Sequence, residues 1–330
     1  MQVYGIDLSM EKFDVSFMNE SRKEMSRIVK NTLSGISRFL EAIPSGSILC
    51  AEHTGVYGDL LLYLCNQAGI TICFVPGYTV RHSLGLAKGK TDKVDARRLR
   101  EYGERFDDKL KEANYGTHAI KELQGLHTLR HELVKARKAL STSQKGRQYQ
   151  PMQSISVHNH AQSAIQALDR EISALDAEID KLIQADDNMQ DNYRLVTSIK
   201  GIGPVIATDL LIKTSNFQVI DTARKAASYA GVCPFPNSSG KMMGKSKTSP
   251  LADKKLKSLI YMGAKAAVKH NKEYNLYYLK KKLEGKPHYL IMNNISNKML
   301  RTVYSVIKSK TPWSQNYICL DPREKMISSC

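Results

Sequence analysis

Four acidic residues occupy positions from which their carboxylates could act together. Asp7 falls near the end of the apolar run "VYGIDLS", and Glu52 ends the run "SILCAE". The segment "KGKTDKVDARRLREYGERF" places Asp92 and Asp95 three residues apart, on one face of a helix. Carboxylates at close quarters repel one another unless cations lie between them, and oxygen ligands in near-octahedral geometry suit Mg²⁺. We therefore expect a two-metal site, which can stabilise the attacking and leaving oxygens of a phosphodiester.

The first hundred residues predict the elements that would position these acids. Three strands, "VYGIDLS", "KFDVSFM" and "KEMSRIV", precede a helix at about 33–43, and a strand, a helix, the strand "ITICFVP" and another helix follow. This order favours an α/β ribonuclease H-like (RuvC-like) domain over a doubly wound nucleotide-binding fold, whose first strand would lead into a helix through a glycine-rich turn. Since ligands bind at the carboxyl ends of strands in such sheets, Asp7 and Glu52 are expected to lie close together.

Each acid also has a structural interpretation when it is taken singly. Asp7 could be a turn residue, Glu52 an ordinary acid at a strand end, and the two aspartates of the helix partners in surface ion pairs. The placement of all four at the ends of the right elements favours the metal site, and Asp14 is assigned to a surface or structural role. Basic residues flank the helical pair and are expected to approach a phosphate backbone: Lys88, Lys90, Lys93, Arg97 and Arg98.

The charge of the chain points to nucleic acid. The 330 residues carry a formal net charge of +17, and residues 241–310 hold 17 Lys and Arg against 3 Asp and Glu. Tyrosines are interleaved with these lysines, which suits phosphate neutralisation combined with base stacking. A merely solvated, soluble face is the alternative, but the excess is large and local.

Cysteine usage and hydropathy exclude other classes. The six cysteines form no CxxC pair and no evenly spaced framework, so neither a zinc knuckle nor a secreted disulfide scaffold is indicated. The first residues do not read as a signal peptide, and no apolar run reaches the length of a membrane span. We expect a cytoplasmic protein with no membrane partner.

Two segments of the middle region have the apolar spacing of coiled coils. The spacing of three and four residues recurs at Leu126, Leu129, Leu133, Ala136 and Leu140, and again at Ile165, Leu168, Ile172, Leu175, Ile179 and Leu182. A polar stretch with Pro151 separates them, so the two helices either fold back on each other or pair with another subunit.

The third region begins with "LVTSIKGIGPVIATDLLI", which is typical of a helix-hairpin-helix within a mainly α-helical domain. The turn at Gly201 and Gly203 could grip a backbone phosphate through its amides, or could be a tight connection without a ligand. Further on, "YAGVCPFPNSSGKMMGKSKTSP" is expected to form a functional or disordered loop, in which Lys241, Lys245 and Lys247 are candidate nucleic-acid contacts. The predicted domains are 1–110 (RuvC-like), 111–190 (coiled coil) and 191–330 (C-terminal).

The segments "YGIDLS", "AEHTGVYG", "KTDKVDARRL", "IKGIGPVIA" and "YAGVCPFPNSSGK" together resemble the IS-one-ten family of insertion-sequence transposases, the DEDD recombinases. The resemblance implies that Asp7, Glu52, Asp92 and Asp95 are the metal-binding acids. It also implies a serine nucleophile that forms a covalent phosphoserine with DNA. The family motif falls on "NSSGK", which gives Ser239, with Ser238 in reserve. Further implications are a bridge RNA that pairs with donor and target DNA, and assembly as a dimer or tetramer.

Two other functions remain open at this point. A RuvC-like metal-dependent nuclease or junction resolvase would use the same acids without the serine. A non-catalytic nucleic-acid-binding protein with a helix-hairpin-helix would make the acids incidental. Covalent trapping on DNA distinguishes these classes, because only the recombinase gives a protein-DNA adduct.

Overall fold

The structure is a computed structural model that describes residues 2–53, 55–85, 89, 91–152, 154–239 and 242–314, with the backbone alone at 236–239, 242–243 and 245–247. The chain divides into two compact units, the first ending at Gly116 and the second beginning at Thr117. The division into three domains stays a prediction.

The first unit is built on one five-stranded mixed sheet. In chain order its elements are β1 (Val3–Leu8), β2 (Lys12–Met18), β3 (Glu24–Lys30), α1 (Leu33–Glu41), β4 (Ile48–Glu52), α2 (Asp59–Ala68), β5 (Thr71–Val75), α3 (Gly77–Leu84) and α4 (Asp92–Arg105). The strand order is β3-β2-β1-β4-β5, with β1 antiparallel to β2 and parallel to β4. The predicted order of strands and helices is confirmed, and with it the α/β class of this unit.

Each face of the sheet has its own packing. Ile6, Phe13 and Leu49 are fully buried on one side, in a core with residues of α1 and α2. On the other side α4 crosses β1 at Gly5, where an added Cβ would lie 2.0 Å from the carbonyl oxygen of Ala96. A larger residue would hold the helix away from the strand, so Gly5 sets how closely α4 approaches β1.

The described residues of the second unit form ten helices and strands. They are α5 (His118–Arg147), α6 (Ile155–Gln184), α7 (Asp187–Thr197), α8 (Pro204–Thr214), α9 (Ala223–Tyr229), β6 (Phe235–Ser239), β7 (Met242–Lys247), α10 (Lys254–His270), α11 (Lys272–Leu283) and α12 (His288–Ser309). The helices share one apolar core, to which α8, α10 and α12 contribute many of the buried residues. No helix in the described part of the chain is long and apolar enough to cross a membrane.

Helices α5 and α6 fold back on each other. Arg130 pairs with Asp176 and Arg137 with Asp169, so residues that advance along α5 meet residues that recede along α6. Within the predicted seam of α6, Leu175 and Ile179 are buried. Within the predicted seam of α5, by contrast, Leu129 is 45% exposed. The two segments therefore pack as a hairpin within the chain, and the coiled coil and any pairing with another subunit stay predictions.

Two parts of the C-terminal region bear on the expected nucleic-acid contacts. The turn between α7 and α8 packs inward at Gly201, where an added Cβ would lie 2.6 Å from the carbonyl oxygen of Gly263 in α10. The segment expected to be a loop instead contains the antiparallel pair β6 and β7, in which Ser239 lies opposite Met242. The loop prediction was wrong because "FPNSS" has weak β-propensity, so nothing local indicated a strand.

Candidate active site

The four predicted acids line one cavity of the first unit. Asp7, Glu52, Asp92 and Asp95 surround a space of ≈ 290 Å³, together with residues of α3 and α4. Asp7 comes from the carboxyl end of β1, Glu52 from the end of the adjacent parallel strand β4, and the other two from the first turn of α4. Asp7 and Glu52 meet at this edge of the sheet because β1 and β4 are adjacent and parallel. The first turn of α4 brings Asp92 and Asp95 to the same edge.

The carboxyl of Asp7 reports on the electrostatics of the cavity. Burial, the largest cause, and the negative charges of Asp95, Asp92 and Glu52 together raise its pKa from 3.8 to about 6. A fourth contribution comes from Asp14. Burial and each neighbouring negative charge disfavour ionisation of Asp7, so its carboxyl holds a proton more tightly than an exposed aspartate does.

Asp14 is a member of this cluster that the sequence interpretation assigned to a surface or structural role. It lies directly opposite Asp7 in the pairing of β1 with β2, and cross-strand partners project from the same face. Lys12 lies between the acids, with its Nζ 3.4 Å from Asp14 Oδ2 and 3.7 Å from Asp92 Oδ2. The pairing register of β1 with β2 is the feature from which Asp14 and Lys12 could have been predicted.

The start of α4 is fixed by a side-chain cap. The hydroxyl of Thr91 accepts a hydrogen bond from the amide of Val94, which sets the first helical turn. Asp92 and Asp95 both stand in that turn, so the same cap determines the direction in which the two carboxylates leave the helix. Acids here are also stabilised by the amino end of the helix dipole.

Gly77 has no side chain, and the carboxylate of Glu52 occupies the space that this leaves. An ideal Cβ built on Gly77 would lie 2.1 Å from Oε1 of Glu52, so the carboxylate occupies the space that any other residue would fill. Gly77 is the first residue of α3 and follows Pro76. Sequence reasoning identified Glu52 but not this contact, because no spacing rule connects an acid to a glycine three elements later.

We expect Gly77→Ala to displace the Glu52 carboxylate while the fold persists, because the clashing atom is the end of a flexible side chain. Metal affinity or activity should fall by about 10–100-fold, the usual cost of disturbing a residue that orients a ligand. Titration with Mg²⁺ and thermal unfolding check this result. Gly125→Ala is the matched control, since an added Cβ at Gly125 meets no atom within 4 Å. An unchanged Mg²⁺ titration in Gly77→Ala would contradict the role given to this contact.

The donor set of the cavity fits a hard divalent cation. Carboxylate oxygens are the ligands that Mg²⁺ prefers, and four carboxylates line the cavity, of which three contribute to the raised pKa of the fourth, Asp7. Among the described residues, however, no three acidic, histidine or cysteine side chains already stand in a metal-binding arrangement. The residues that would hold ions are the four that line the cavity.

The basic residues predicted to surround the acids differ in their placement. Arg98 lines the cavity and donates from Nη2 to the carbonyl oxygen of Gly85 at 2.6 Å. Arg97 instead pairs with Glu24 of β3 at 3.9 Å and lies 4.0 Å from Glu101. Lys93 is exposed to solvent. Lys88 and Lys90 lie outside the described residues. Of this set, Arg98 is the cation that the structure places at the cavity.

The residues predicted in the second unit are described only in part. Ser238 and Ser239 are the last two residues of β6, where only the backbone is described, as it is for Lys245 and Lys247 in β7. Lys241 lies outside the described residues. Gly203 caps the amino end of α8 with an extended backbone and is exposed, whereas Gly201 is engaged with α10.

Comparison with known proteins covers both units. A model described as "Transposase IS116/IS110/IS902 family" matches residues 193–279, and a DEDD transposase model matches residues 4–148. The second match includes all four acids of the cavity, and the first includes Ser238 and Ser239. The DEDD transposase domain is RuvC-like, in agreement with the strand order of the first unit.

Several curated proteins are similar to the chain at about a quarter identity. The pilin gene-inverting protein of Moraxella bovis is 26% identical over 94% of this chain and 97% of its own length. The 44.8 kDa protein of insertion element IS116 from Streptomyces clavuligerus is 27% identical over 44% of this chain and 35% of the relative. The 42 kDa protein of insertion element IS900 from Mycobacterium paratuberculosis is 24% identical over 45% of this chain and 38% of the relative. The chain thus spans little more than a third of these two insertion-element proteins and nearly all of the inverting protein. It belongs to the IS116/IS110/IS902 family of transposases.

Proposed function

We propose that the chain is an insertion-sequence recombinase that cuts and rejoins DNA strands through a covalent phosphoserine, with Mg²⁺ held by Asp7, Glu52, Asp92 and Asp95. The observation that carries the proposal is the convergence of these four acids on one cavity, where burial and neighbouring charge raise the pKa of Asp7 to about 6. Such a cluster is costly to keep without cations and suits phosphoryl transfer when they are bound.

The strand exchange conserves bonds at each step. The hydroxyl of Ser239 gives its proton to solvent as its Oγ attacks a backbone phosphorus, the bond from phosphorus to the leaving strand oxygen breaks, and that oxygen takes up a proton to leave a free hydroxyl. A hydroxyl of the second strand then loses its proton to solvent and attacks the phosphoserine, and the serine oxygen departs and is reprotonated. One ester replaces another in both steps, so no external energy source is required.

The acids and the serine have separate parts in this reaction. When bound, divalent ions would polarise the phosphate and favour the serine alkoxide. The carboxylates would hold them, with Gly77 and the Thr91 cap fixing the direction of Glu52, Asp92 and Asp95. The reaction requires Ser239, at the end of β6, to reach a phosphate that is bound at the four acids. These acids belong either to the same subunit or to another one.

Donor and target DNA and a noncoding bridge RNA are the proposed partners, and a homodimer or homotetramer is the proposed assembly. Support for nucleic-acid partners comes from the net charge of +17 and from the lysine-rich, tyrosine-rich C-terminal third. Base pairing by a guide would leave the protein to recognise backbone and shape, which suits a chain in which no DNA-reading motif is evident from the sequence. The helical hairpin of α5 and α6 is the segment that we propose brings subunits together.

A metal-dependent nuclease or junction resolvase is the second candidate function, because the cavity alone would serve it equally well. The relative from Moraxella bovis favours the recombinase, since its name describes inversion of a gene, which requires rejoining as well as cutting. A non-catalytic binding protein would leave the concentration of carboxylates in the cavity without a purpose.

Covalent trapping distinguishes the three candidates. The wild-type chain is incubated with Mg²⁺, labelled donor and target DNA and the RNA that co-purifies with it, and the products are separated under denaturing conditions. We expect a labelled DNA-protein adduct that SDS does not dissociate and that protease converts to a peptide-linked strand. Free DNA ends without an adduct would indicate the nuclease, and uncut DNA would indicate the binding protein.

A further inference from the structure

An open groove of the second unit lies beside the segment that leads into β6, the strand that ends at Ser239 and is called the serine strand below. It has a volume of ≈ 640 Å³, and its lining includes Val232 and Pro234 before β6, Tyr277 of α11, and residues of α12. Ser239, at the end of β6, is five residues beyond Pro234. The groove is therefore close in sequence to the proposed nucleophile, and it shares no lining residue with the acidic cavity of the first unit.

The face of α12 that lines the groove is polar at helical spacing. Asn294, Asn297, Arg301 and Ser305 follow one another at intervals of three and four residues and form one stripe. The opposite face of the same helix is buried in the core, with Ile295, Met299 and Val303 fully inaccessible. The face of α12 toward the groove thus presents amides, a guanidinium and a hydroxyl, all of which can form hydrogen bonds with a polar ligand.

Two asparagines of α12 anchor the chain that enters the serine strand. Asn293 Nδ2 donates to the carbonyl oxygen of Val232 at 2.9 Å, and Asn297 Nδ2 approaches the same oxygen at 3.4 Å. Asn297 uses its other side-chain atom, Oδ1, to accept a hydrogen bond from Nε of Arg301 at 3.1 Å. The position of the entering segment and the orientation of the guanidinium are thus set by the same side chain.

The guanidinium of Arg301 is the group in the groove best suited to bind an anion. The residue is exposed, and within the described part of the chain no carboxylate forms an ion pair with it. Its bond through Nε leaves the donors of both Nη atoms directed elsewhere, and this planar fork matches the two oxygens of a phosphate. The other cation of the lining, Lys298, pairs with Glu273.

Tyr277 adds an aromatic surface to the same groove. The Nζ atoms of Lys281 and Lys298 each lie 5.9 Å from the centre of its ring, and both lysines are paired with glutamates, Lys281 with Glu284 and Lys298 with Glu273. The positive charge in the groove for a phosphate is therefore that of Arg301, and an aromatic ring in the same groove offers a surface on which a base of single-stranded nucleic acid can stack. The groove combines phosphate, amide and stacking recognition.

We propose that this groove binds the backbone of the DNA strand that Ser239 attacks, with Arg301 on a phosphate and a flanking base near Tyr277. Extended chain rises about 3.3 Å per residue, so Ser239, five residues beyond Pro234, lies at most about 16 Å from it. A stacked DNA strand covers this distance in about five nucleotides at about 3.4 Å each. The groove would hold nucleotides flanking the attacked phosphate. This inference rests on the proposed function for the identity of the strand, but the binding that it requires is measured without any strand cutting.

The test compares the full-length chain with three variants in their affinity for a fluorescein-labelled single-stranded DNA, followed by anisotropy over a series of salt concentrations. Arg301→Gln should bind about tenfold more weakly and lower the salt slope by about one, since one phosphate contact is lost. Asn294→Ala should weaken binding about threefold and leave the salt slope unchanged, because it removes a neutral hydrogen bond. Lys265→Gln is the matched control, because it removes one charge from the exposed face of α10, which does not line the groove.

Three results would overturn the proposal. Unchanged DNA affinity in Arg301→Gln, with wild-type thermal unfolding, would show that the groove holds no phosphate. An equal loss in Lys265→Gln would show a general charge effect. A loss of affinity for the RNA of the same sequence, with DNA binding intact, would assign the groove to RNA. A different result separates this proposal from the proposed function. If the wild type forms no covalent adduct but Arg301→Gln binds DNA more weakly, the phosphoserine mechanism is rejected and the groove remains a DNA-binding site.

Discussion

Ser239→Ala is expected to abolish the DNA-protein adduct and to lower recombination by at least about 10³-fold, while binding of DNA and RNA persists. The variant removes the oxygen that forms the covalent bond and leaves the neighbouring backbone unchanged. Since Ser239 ends β6 opposite Met242 of β7, alanine fits the same strand conformation. Adduct formation with labelled DNA and recombination of a reporter plasmid measure the two effects.

Ser238→Ala provides the control one residue away. Adjacent residues of a strand project to opposite faces, so only one of the two hydroxyls can point toward a given phosphate. Ser238→Ala should retain part of the activity and form the adduct. If Ser238→Ala instead loses the adduct and Ser239→Ala keeps it, the nucleophile is Ser238. If both variants recombine DNA normally, the chain acts as a metal nuclease and the serine mechanism is wrong.

The sheet and the cavity were predictable because strands and helices leave periodic signals. Period-two patterns in the first thirty residues, followed by two strand-helix units, were sufficient to predict the order of elements that places β1 beside β4. Once these strands are adjacent and parallel, acids at their carboxyl ends must meet, which explains why Asp7 and Glu52 could be paired from sequence. The helical spacing of Asp92 and Asp95 required only that α4 begin near them, as Thr91 ensures.

Contacts that depend on register or on the absence of atoms were not predictable. Asp14 joins the acids because it faces Asp7 across β1 and β2, and a shift of one residue would have turned it to the other face. Gly77 matters because of the space that it leaves for Glu52. Arg97, expected at a phosphate, pairs with Glu24 across the helix-sheet packing, a contact between residues far apart in sequence. None of these leaves a periodic signal.

The C-terminal unit shows a different limit. A net basic composition predicted nucleic-acid binding for residues 241–310 but could not rank the residues within it. The structure distinguishes Arg301, exposed and oriented by Asn297, from Lys298, which is paired with Glu273. A count of charges weighs the two equally, although a cation already paired with a carboxylate has less to gain from a phosphate. The selection of contact residues is therefore decided by tertiary partners.

Asp7→Asn is expected to abolish strand cleavage and at the same time to stabilise the fold at neutral pH when divalent ions are absent. The pKa of Asp7 is raised from its ordinary value of 3.8 to about 6 by burial and by Asp95, Asp92 and Glu52. Because the folded state binds the proton more tightly than the unfolded state, wild-type stability is fully present below about pH 4 and is lost as the pH rises through 6. The asparagine variant does not suffer this loss.

The expected gain is about 1–2 kcal/mol at about pH 8, after allowance for solvent screening of a partly exposed carboxylate, and it should disappear near pH 4. Urea unfolding at both values, with and without Mg²⁺, measures it. Mg²⁺ should stabilise the wild type more than the variant, because the ion neutralises the charge that the variant lacks and binds fewer carboxylates there. Asp108→Asn, which removes the same charge from an exposed turn outside the cavity, should change neither cleavage nor the Mg²⁺ response. A variant that is less stable than the wild type at about pH 8 without Mg²⁺, or one that cleaves DNA normally, would show that Asp7 is a structural acid and not a metal ligand.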